Sequence, residues 1–252
     1  MEEIDTETKK FISDTHFLRI HKVANSIWLR DRIFELTGQR YSIINPAIEH
    51  DIFHPRAHEK NNIKDSEDII NIMALGKGWF KNALGIYQAV NNVRAIESKK
   101  KIVLHYFGHN PPSTMPFDNK LTFFHKDLTD EQLANLYSNS DIQITFSTAE
   151  SFPLPPLEAM ACRCAVITTP FGTEDYAVDK ENALIVEPGN LDMLTNKIKT
   201  LIENEQLRTK LKENGIKTAE RYNYTIQTKI LESEFKKALD ENARKNLGVI
   251  SL

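Results

Sequence analysis

The 252-residue chain has little cysteine: Cys162 and Cys164 are its only two, separated by one residue within an apolar stretch. This pair fits neither a disulfide framework nor a zinc site, which needs more ligands at suitable spacing. We therefore expect two small buried side chains in a reducing compartment. The histidines at positions 50, 54 and 58 recur every fourth residue, but Pro55 breaks the helix that would align them. No carboxylate motif completes a metal site there, so no metal ion is predicted.

The chain also lacks a long apolar run and a strong excess of charge. Its formal net charge is −3, from 32 basic and 35 acidic residues interspersed along the sequence. No strong field draws it to nucleic acid or anionic lipid, so we expect no nucleic-acid partner and at most peripheral membrane association. Met1 is followed by acidic and polar residues, unlike a signal peptide, and no apolar run approaches the length of a membrane span. These absences favour a cytoplasmic location.

From about Glu67 onward, short β-rich runs alternate with helical patterns. The predicted strands are residues 69–75, 102–107, 121–124, 142–146, 165–169 and 184–186. Between them lie predicted helices at residues 82–96 and 155–162, and one that opens with a capping box from Thr129 to Gln132. This alternation predicts an α/β fold: a Rossmann-like parallel sheet with helices on both faces, followed by C-terminal helices. No G-x-G-x-x-G segment follows the first strand, which disfavours a dinucleotide-dependent dehydrogenase.

The two ends of the chain do not continue the alternation. Ala24 to Leu36 predicts a helix with Asn25 or Ser26 as N-cap, followed by a strand near Tyr41 to Ile44. Apolar residues at helical spacing predict the buried stripe of a final helix: Ile226, Ile230, Leu231, Phe235 and Leu239. The tail from Asn242 is expected to fray. We divide the chain into residues 1–58, 59–222 and 223–252.

The most informative segment runs from Ser147 to Pro170, STAESFPLPPLEAMACRCAVITTP. Ser147 and Glu150 match the S-x-x-E pattern of a capping box, so one alternative is that Glu150 merely caps a helix. Three prolines follow, at positions 153, 155 and 156, and each would cost about 3 kcal/mol in a helix interior. Since proline is tolerated in a first turn, the helix is predicted to begin near residue 155 or 156. Glu150 is then expected on the preceding loop.

That loop lies at the expected ligand edge of the sheet. Ligands of open α/β sheets bind beyond the carboxyl ends of the strands, and a helix N-terminus there offers N–H groups and partial positive charge to a diphosphate. Glu158 is predicted in the first turn of the helix. Glu150 and Glu158 can accept hydrogen bonds from sugar or ribose hydroxyls, so the segment suits a nucleotide sugar. The alternative for Glu158 is a purely electrostatic placement against the helix dipole.

The segment ESFPLPPLEAMAC resembles the E-x7-E signature of family 4 glycosyltransferases, a large retaining family of the two-lobed GT-B type. The similarity continues downstream through AVITTPFGTEDYAVDKENALIVEPGNLDML and upstream through NPAIEHDIFHP and LTFFHKDLTDEQLANLYSNSDIQITFSTAES, from about residue 20 to residue 240. By this resemblance, residues 59–222 are the nucleotide-sugar-binding domain, the C-terminal lobe of a GT-B fold. Residues 1–58 then correspond to a remnant of the N-terminal lobe with the interdomain segment, and residues 223–252 to the crossing helix and tail.

The resemblance also implies roles for individual residues. Glu150 would contact the donor sugar near the reaction centre, and Glu158 would hold the ribose hydroxyls. The backbone at Phe152, Pro153 and Leu154 would line the sugar and diphosphate, although proline offers no N–H.

Family members carry a basic pair after the first strand of this domain, which neutralises the diphosphate. Lys81 is the better candidate for this role and Lys77 the second, with an ordinary surface lysine as the alternative for each. The turn from Phe124 to Lys126 corresponds to the segment that touches the base, largely through its backbone.

Four positions depart from the family pattern. Lys77 stands in place of the usual arginine, which loses forked phosphate recognition but keeps the charge. Asn82 and Arg163 stand where glycines are usual, the latter at a helix C-terminus that often needs a positive φ. Thr173 replaces the second member of a glycine pair.

The implied reaction passes a sugar from a nucleotide diphosphate sugar to an acceptor hydroxyl with retention of configuration, in polysaccharide or glycoconjugate biosynthesis and with no cofactor. Acceptor recognition belongs to the N-terminal lobe in this family, so a separate polypeptide is one possible source of that lobe. The rival hypothesis is a non-catalytic nucleotide-sugar-binding or regulatory subunit that needs a partner lobe. A GT-B-like epimerase or phosphorylase is a further alternative that the family-specific loop disfavours.

Overall fold

The computed structural model describes residues 6–18, 20–56, 69–76, 79–97, 99–111 and 120–249. The helices are α1 (Thr6–Thr15), α2 (Ile27–Thr37), α3 (Ala83–Ile96), α4 (Asp130–Ser138), α5 (Leu154–Ala161), α6 (Leu191–Glu203), α7 (Glu205–Ala219) and α8 (Tyr224–Val249). The strands are β1 (Val23–Ala24), β2 (Ser42–Ile43), β3 (Ile69–Leu75), β4 (Lys101–Gly108), β5 (Thr122–Lys126), β6 (Ile142–Thr145), β7 (Ala165–Thr168) and β8 (Leu184–Ile185).

Six of these strands form one parallel sheet in the order β5-β4-β3-β6-β7-β8. The chain moves outward in one direction from β3 through β4 to β5, then returns to the other side of β3 and continues through β6, β7 and β8. The strand order therefore reverses between β3 and β6, which is the position where open α/β sheets bind ligands. The α/β fold predicted from the sequence is confirmed.

Helices cover both faces of this sheet because its central strands are apolar on both sides. In β3, Ile70, Ile72 and Ala74 belong to one buried cluster, to which α3 and α6 contribute, while Met73 belongs to the opposite cluster with α4 and α5. The buried members on the first side include Ile86, Val90, Leu194 and Ile198, and those on the second include Ala134, Tyr137, Leu157 and Met160. The strand ends are consequently held between two packed layers.

The N-terminal part differs from the predicted helix over Ala24 to Leu36. Helix α2 begins at Ile27, with the Ser26 side chain accepting a hydrogen bond from the N–H of Leu29. The residues before it form β1, which pairs in parallel with β2. Ser26 was one of the two predicted N-caps; the short strand was missed because two residues carry no periodicity.

The predicted buried stripe on the last helix is wrong. In α8, Ile226, Ile230 and Leu231 are 36–40% exposed, and Phe235 and Leu239 are 60% and 67% exposed. The tail beyond Asn242 also continues as helix to Val249 instead of fraying there. The apolar spacing is that of an amphipathic helix, but spacing alone does not show whether a second surface covers the stripe.

A pair of histidines on β4 and β5 is expected to make the chain less stable at acidic pH. His105 Nδ1 lies 3.0 Å from His125 Nε2, and His105 Nε2 lies 3.3 Å from Asn71 Oδ1. Burial, and secondarily the neighbouring His125, lowers the pKa of His105 to about 4. Because the unfolded chain then binds the proton more readily than the native chain, stability is lost as the pH falls from 6.5 towards 4.

The free energy of unfolding of the wild type is expected to fall between pH 7 and pH 5. In His105→Gln this fall should be smaller by about 1 to 2 kcal/mol. Urea unfolding at the two pH values measures this difference. His54→Gln, which changes an exposed histidine that forms no ion pair among the described residues, is the control for the substitution itself. An equal pH dependence in the wild type and His105→Gln would contradict the prediction.

Candidate functional site

Two loops meet where the strand order reverses. The first follows β3 and ends in a 3-10 turn, Trp79–Lys81, and the second follows β6 and contains Ser147 and Glu150. The N–H of Thr148 donates to the carbonyl of Phe80 at 2.8 Å, so the two loops are joined through their backbones. Lys77, the second candidate of the predicted basic pair, lies outside the described residues. The remaining predicted site residues lie on or near these loops, α5 and β5.

Lys81 and Glu150 are in direct contact across the two loops. Lys81 Nζ donates to Glu150 Oε1, and Ser147 Oγ donates to the same oxygen at 2.8 Å. The lysine side chain is 14% exposed and the glutamate side chain 11%, so the pair is more strongly coupled than a surface ion pair. The structure thus brings together two residues that are 69 positions apart. Their charges form a compact polar centre at the ligand edge of the sheet.

The capping-box alternative for Ser147 and Glu150 is not what the structure shows. Helix α5 begins at Leu154, and its N-cap is Pro153, with the next two prolines in the first turn. Ser147 donates to the Glu150 side chain within the loop instead of capping that helix. Glu150 therefore lies before the helix, as the proline positions predicted.

The N-terminus of α5 offers fewer backbone donors than an ordinary helix. Pro153, Pro155 and Pro156 have no N–H, so Leu154 supplies the N–H of the first turn. Phe152 lies two residues before Leu154. Among the described residues, neither the N–H of Phe152 nor that of Leu154 donates to a backbone carbonyl. These two groups are among the backbone donors that the loop can offer to an anion.

Three contacts hold the loop before α5 in place. The φ of Gly172 is +66°, and a Cβ at this residue would lie 2.4 Å from the carbonyl carbon and oxygen of Ser151. Tyr176 donates its hydroxyl to the carbonyl of Pro153 at 2.7 Å, and Asn25 Nδ2 donates to Ser151 Oγ at 3.1 Å. These three supporting contacts were not predicted from the sequence. The glycine at position 172 was the one available signal, since glycine permits both positive φ and close backbone approach.

Glu158 is placed by a buried tyrosine and not by the helix dipole. It is the fifth residue of α5, beyond the predicted first turn, where the effect of the dipole has weakened. Tyr137 donates its hydroxyl to Glu158 Oε2 at 3.1 Å. Burial raises the pKa of Glu158 to about 7; the hydrogen bond from Tyr137 opposes this shift, and Asp130 adds to it. The carboxyl group therefore changes charge near neutral pH.

The β5 residues occupy a more peripheral position. A Cβ on Gly76 would lie 3.2 Å from the ring of Phe124, so Phe124 adjoins the start of the loop that leads to Lys81. Lys126 is exposed, and its Nζ lies 3.8 Å from Asp127 Oδ2. Phe124 is thus brought towards the loop after β3, while Lys126 points its charge to solvent.

Two of the departures from the family pattern have a backbone explanation. Asn82 and Arg163 adopt left-handed conformations, with φ of 51° and 65°. Asn82 tolerates this conformation well and also caps α3 by accepting a hydrogen bond from the N–H of Gly85. Arg163 adopts it at the end of α5, where glycine costs less. Thr173 is buried and donates its hydroxyl to the carbonyl of Thr169 at 2.8 Å.

Within the described ranges, no group of three or more His, Cys, Asp or Glu residues is placed to hold a metal ion. Both cysteines are buried, as expected, and burial raises the pKa of Cys162 to about 12. Over the same part of the chain, no helix has the length and apolarity needed to cross a membrane.

The central part of the chain matches a known protein family and several known proteins. A model of the family "Glycosyl transferases group 1" matches residues 56–218, well over half of the chain. An uncharacterized glycosyltransferase of Methanocaldococcus jannaschii is 32% identical over 95 residues, which cover 37% of this chain and 27% of that protein. A capsular polysaccharide biosynthesis glycosyltransferase of Staphylococcus aureus is 33% identical over 113 residues, covering 44% of this chain and 30% of that protein. The matched segments thus span less than a third of each of these two relatives.

The fold also matches solved structures. Sucrose-phosphate synthase of Thermosynechococcus elongatus superposes with a TM-score of 0.77 at 16% identity, over 95% of this chain and 63% of that one. This likeness concerns the fold, which is that of GT-B glycosyltransferases. The described parallel sheet with helices on both faces is part of that fold. Taken with the family match over residues 56–218, these findings show that the chain belongs to the group 1 glycosyl transferases.

Proposed function

We propose that this chain is the donor-binding half of a retaining, family 4 type glycosyltransferase that acts in the cytoplasm. It binds a nucleotide diphosphate sugar, and the sugar passes to an acceptor hydroxyl with its anomeric configuration kept. The observation that best supports this proposal is the contact between Lys81 and Glu150 at the reversal point of the sheet. A cation for a diphosphate and a carboxylate for sugar hydroxyls lie there side by side.

Lys81 and the loop N–H groups meet the main electrostatic demand of this reaction. The bond between the anomeric carbon and the diphosphate oxygen breaks, and negative charge develops on the departing diphosphate. Preorganised donors aimed at such charge are worth several kcal/mol in a partly dehydrated site. The Lys81 ammonium, with the N–H groups of Phe152 and Leu154, supplies positive charge from the protein. The acceptor oxygen bonds to the same anomeric carbon, and its proton passes to the departing diphosphate.

The two glutamates hold the uncharged parts of the donor. Glu150 accepts hydrogen bonds from hydroxyls of the transferred sugar and orients it, while Glu158 accepts those of the ribose. Ser147 keeps Glu150 in place through the bond to Oε1. The backbone near Pro153 lines the sugar and diphosphate, and the Phe124–Lys126 turn contacts the base. Lys77, which lies outside the described residues, is the proposed second cation for the diphosphate.

The acceptor part of the site is proposed to come from a second lobe, either on a separate polypeptide or on another part of the same protein. The described residues form one six-stranded sheet domain with a two-stranded sheet, β1–β2, beside it. The exposed apolar stripe of α8 supports a docking role for this region, since large apolar side chains exposed together often mark an interaction surface. Without such a lobe, the chain would act as a nucleotide-sugar-binding subunit.

Calorimetric titration with UDP-, GDP-, ADP- and dTDP-sugars tests donor binding directly. We expect one nucleotide class to bind and Glu158→Ala to weaken that binding by about tenfold, as expected for the loss of hydrogen bonds to a charged group. Glu213→Ala, a change to an exposed carboxylate that pairs with Arg163, is the control and should bind like the wild type. A folded wild-type chain that binds none of the four classes would refute donor binding by this half alone.

A further inference from the structure

Tyr137 is fully buried, and its position is fixed from several sides. Its ring makes edge contacts with Phe53 at 6.2 Å and Phe107 at 6.0 Å between centroids. Helix α4, which carries it, begins with a complete capping box between Thr129 and Gln132. The hydroxyl at the end of this immobilised ring donates to Glu158 Oε2. The packing around the ring therefore fixes the position of the hydroxyl that donates to Glu158.

Glu158 has no cationic partner to replace this contact. Among the described residues, no lysine, arginine or histidine forms an ion pair with Glu158, and Tyr137 is the side chain that donates to it. The titratable groups near the carboxyl are Tyr137 and Asp130 on α4, Cys162 on its own helix, and Tyr176 on the turn after β7. None of these carries positive charge. The ionised form of Glu158 therefore depends on the tyrosine hydroxyl.

We propose that Tyr137 is a positioning residue for donor binding: it holds Glu158 by Oε2 and keeps the carboxylate ready to accept the ribose hydroxyls. Oε1 is hydrogen-bonded by none of the described residues, so it is free for a hydroxyl of the donor. The inference rests on the proposed function, because it requires Glu158 to bind the donor. It adds a residue that touches neither the nucleotide nor the sugar.

The proposal predicts a pH-dependent defect. Tyr137→Phe keeps the ring and removes the one hydroxyl, so ionised Glu158 loses its donor and its pKa rises by about one to two units. At pH 7 the variant carboxyl is then mostly protonated, and donor affinity should fall about tenfold. At pH 9 at least about half of the carboxyl is ionised again, and affinity should return to within about twofold of the wild type at the same pH. Damage to packing alone would not be reversed by pH.

Two measurements test this together, on the whole chain. The first is an NMR titration of the Glu158 carboxyl carbon without ligand. The second is calorimetric affinity, at pH 7 and pH 9, for whichever of the UDP-, GDP-, ADP- and dTDP-sugars the wild type binds. Tyr106→Phe is the matched control, since Tyr106 is equally buried but donates to the carbonyl of Ala83, away from Glu158. It should change neither measurement, and thermal melting checks that both variants fold.

The results of the two measurements either support or overturn the role proposed for Tyr137. A raised Glu158 pKa with an affinity loss that disappears at pH 9 would support the proposal. An unchanged Glu158 titration in Tyr137→Phe, or an affinity loss of the same size at both pH values, would overturn it. If the titration shifts but the wild-type chain binds no donor at all, the proposed function fails and the inference with it, while the hydrogen bond itself is established.

Discussion

Lys81→Ala is expected to weaken binding of the nucleotide diphosphate sugar by about 10- to 100-fold while leaving the affinity for the bare nucleoside unchanged. A hydrogen bond to a charged group contributes about 1.5 to 3 kcal/mol, which corresponds to this range. The substitution removes the cation that contacts Glu150. Among the residues that the structure describes, that carboxylate, 11% exposed, then keeps only the Ser147 hydroxyl as a donor. Calorimetry with the diphosphate sugar and with the nucleoside separates loss of the charge from collapse of the loop.

Lys101→Ala provides the matched control for this experiment. Lys101 is exposed and lies at the start of β4, at the edge of the sheet opposite to the candidate site. Lys101→Ala changes the net charge of the chain by the same amount as Lys81→Ala. It should leave the affinities for the diphosphate sugar and for the nucleoside unaltered. Equal losses for diphosphate sugar and nucleoside in Lys81→Ala would mean that the lysine supports the loop and does not bind the diphosphate.

Gly172→Ala is expected to destabilise the chain by about 2 to 4 kcal/mol and to abolish measurable donor binding. The added methyl group would lie 2.4 Å from backbone atoms of Ser151, and the φ of +66° is itself unfavourable for alanine. Relief of the overlap requires the Ser151–Phe152 backbone to move, and this loop connects Glu150 to α5. Thermal unfolding should show a decrease in Tm of roughly 5 to 15 °C for a chain of this size.

Gly189→Ala separates the effect of the steric overlap with Ser151 from the effect of the positive φ. Gly189 has a similar φ of +77°, but a Cβ there would have no heavy atom within 4 Å. This control should cost only about 1 kcal/mol, from the backbone conformation, and should bind the donor normally. If Gly172→Ala and Gly189→Ala are equally stable and bind equally well, the contact between Gly172 and Ser151 does not position the loop.

Periodicity and proline positions predicted parts of the fold correctly wherever these local signals are decisive. Ile69–Leu75 was predicted with its observed bounds, and the prolines at 153, 155 and 156 placed the start of α5 within one or two residues of Leu154. Both signals are local: a strand buried on two faces is continuously apolar, and proline cannot occupy a helix interior. The positive φ of Arg163 was also predictable, from the position of that residue after a helix.

Other expectations depended on partners that lie far away in the sequence. Glu158 was predicted in the first turn of the helix, but it lies beyond that turn and contacts Tyr137 on another helix. The stripe of α8 was expected to be buried, and its apolar residues are exposed. In both cases the local sequence pattern did not specify which residue or surface the side chain would contact.

The sequence by itself therefore determined the α/β class and the loop position of Glu150, because these follow from local periodicity and proline chemistry. The family pattern was recognised separately, from the resemblance of its motifs to those of known glycosyltransferases. Only the tertiary structure decided which charges meet. Lys81 and Glu150 come into contact because β3 and β6 lie side by side at the point where the strand order reverses. Tyr137 and Gly172 act on the site because packing brings their helix and turn against α5 and the loop before it. Such contacts join residues distant in the chain, and no local pattern specifies them.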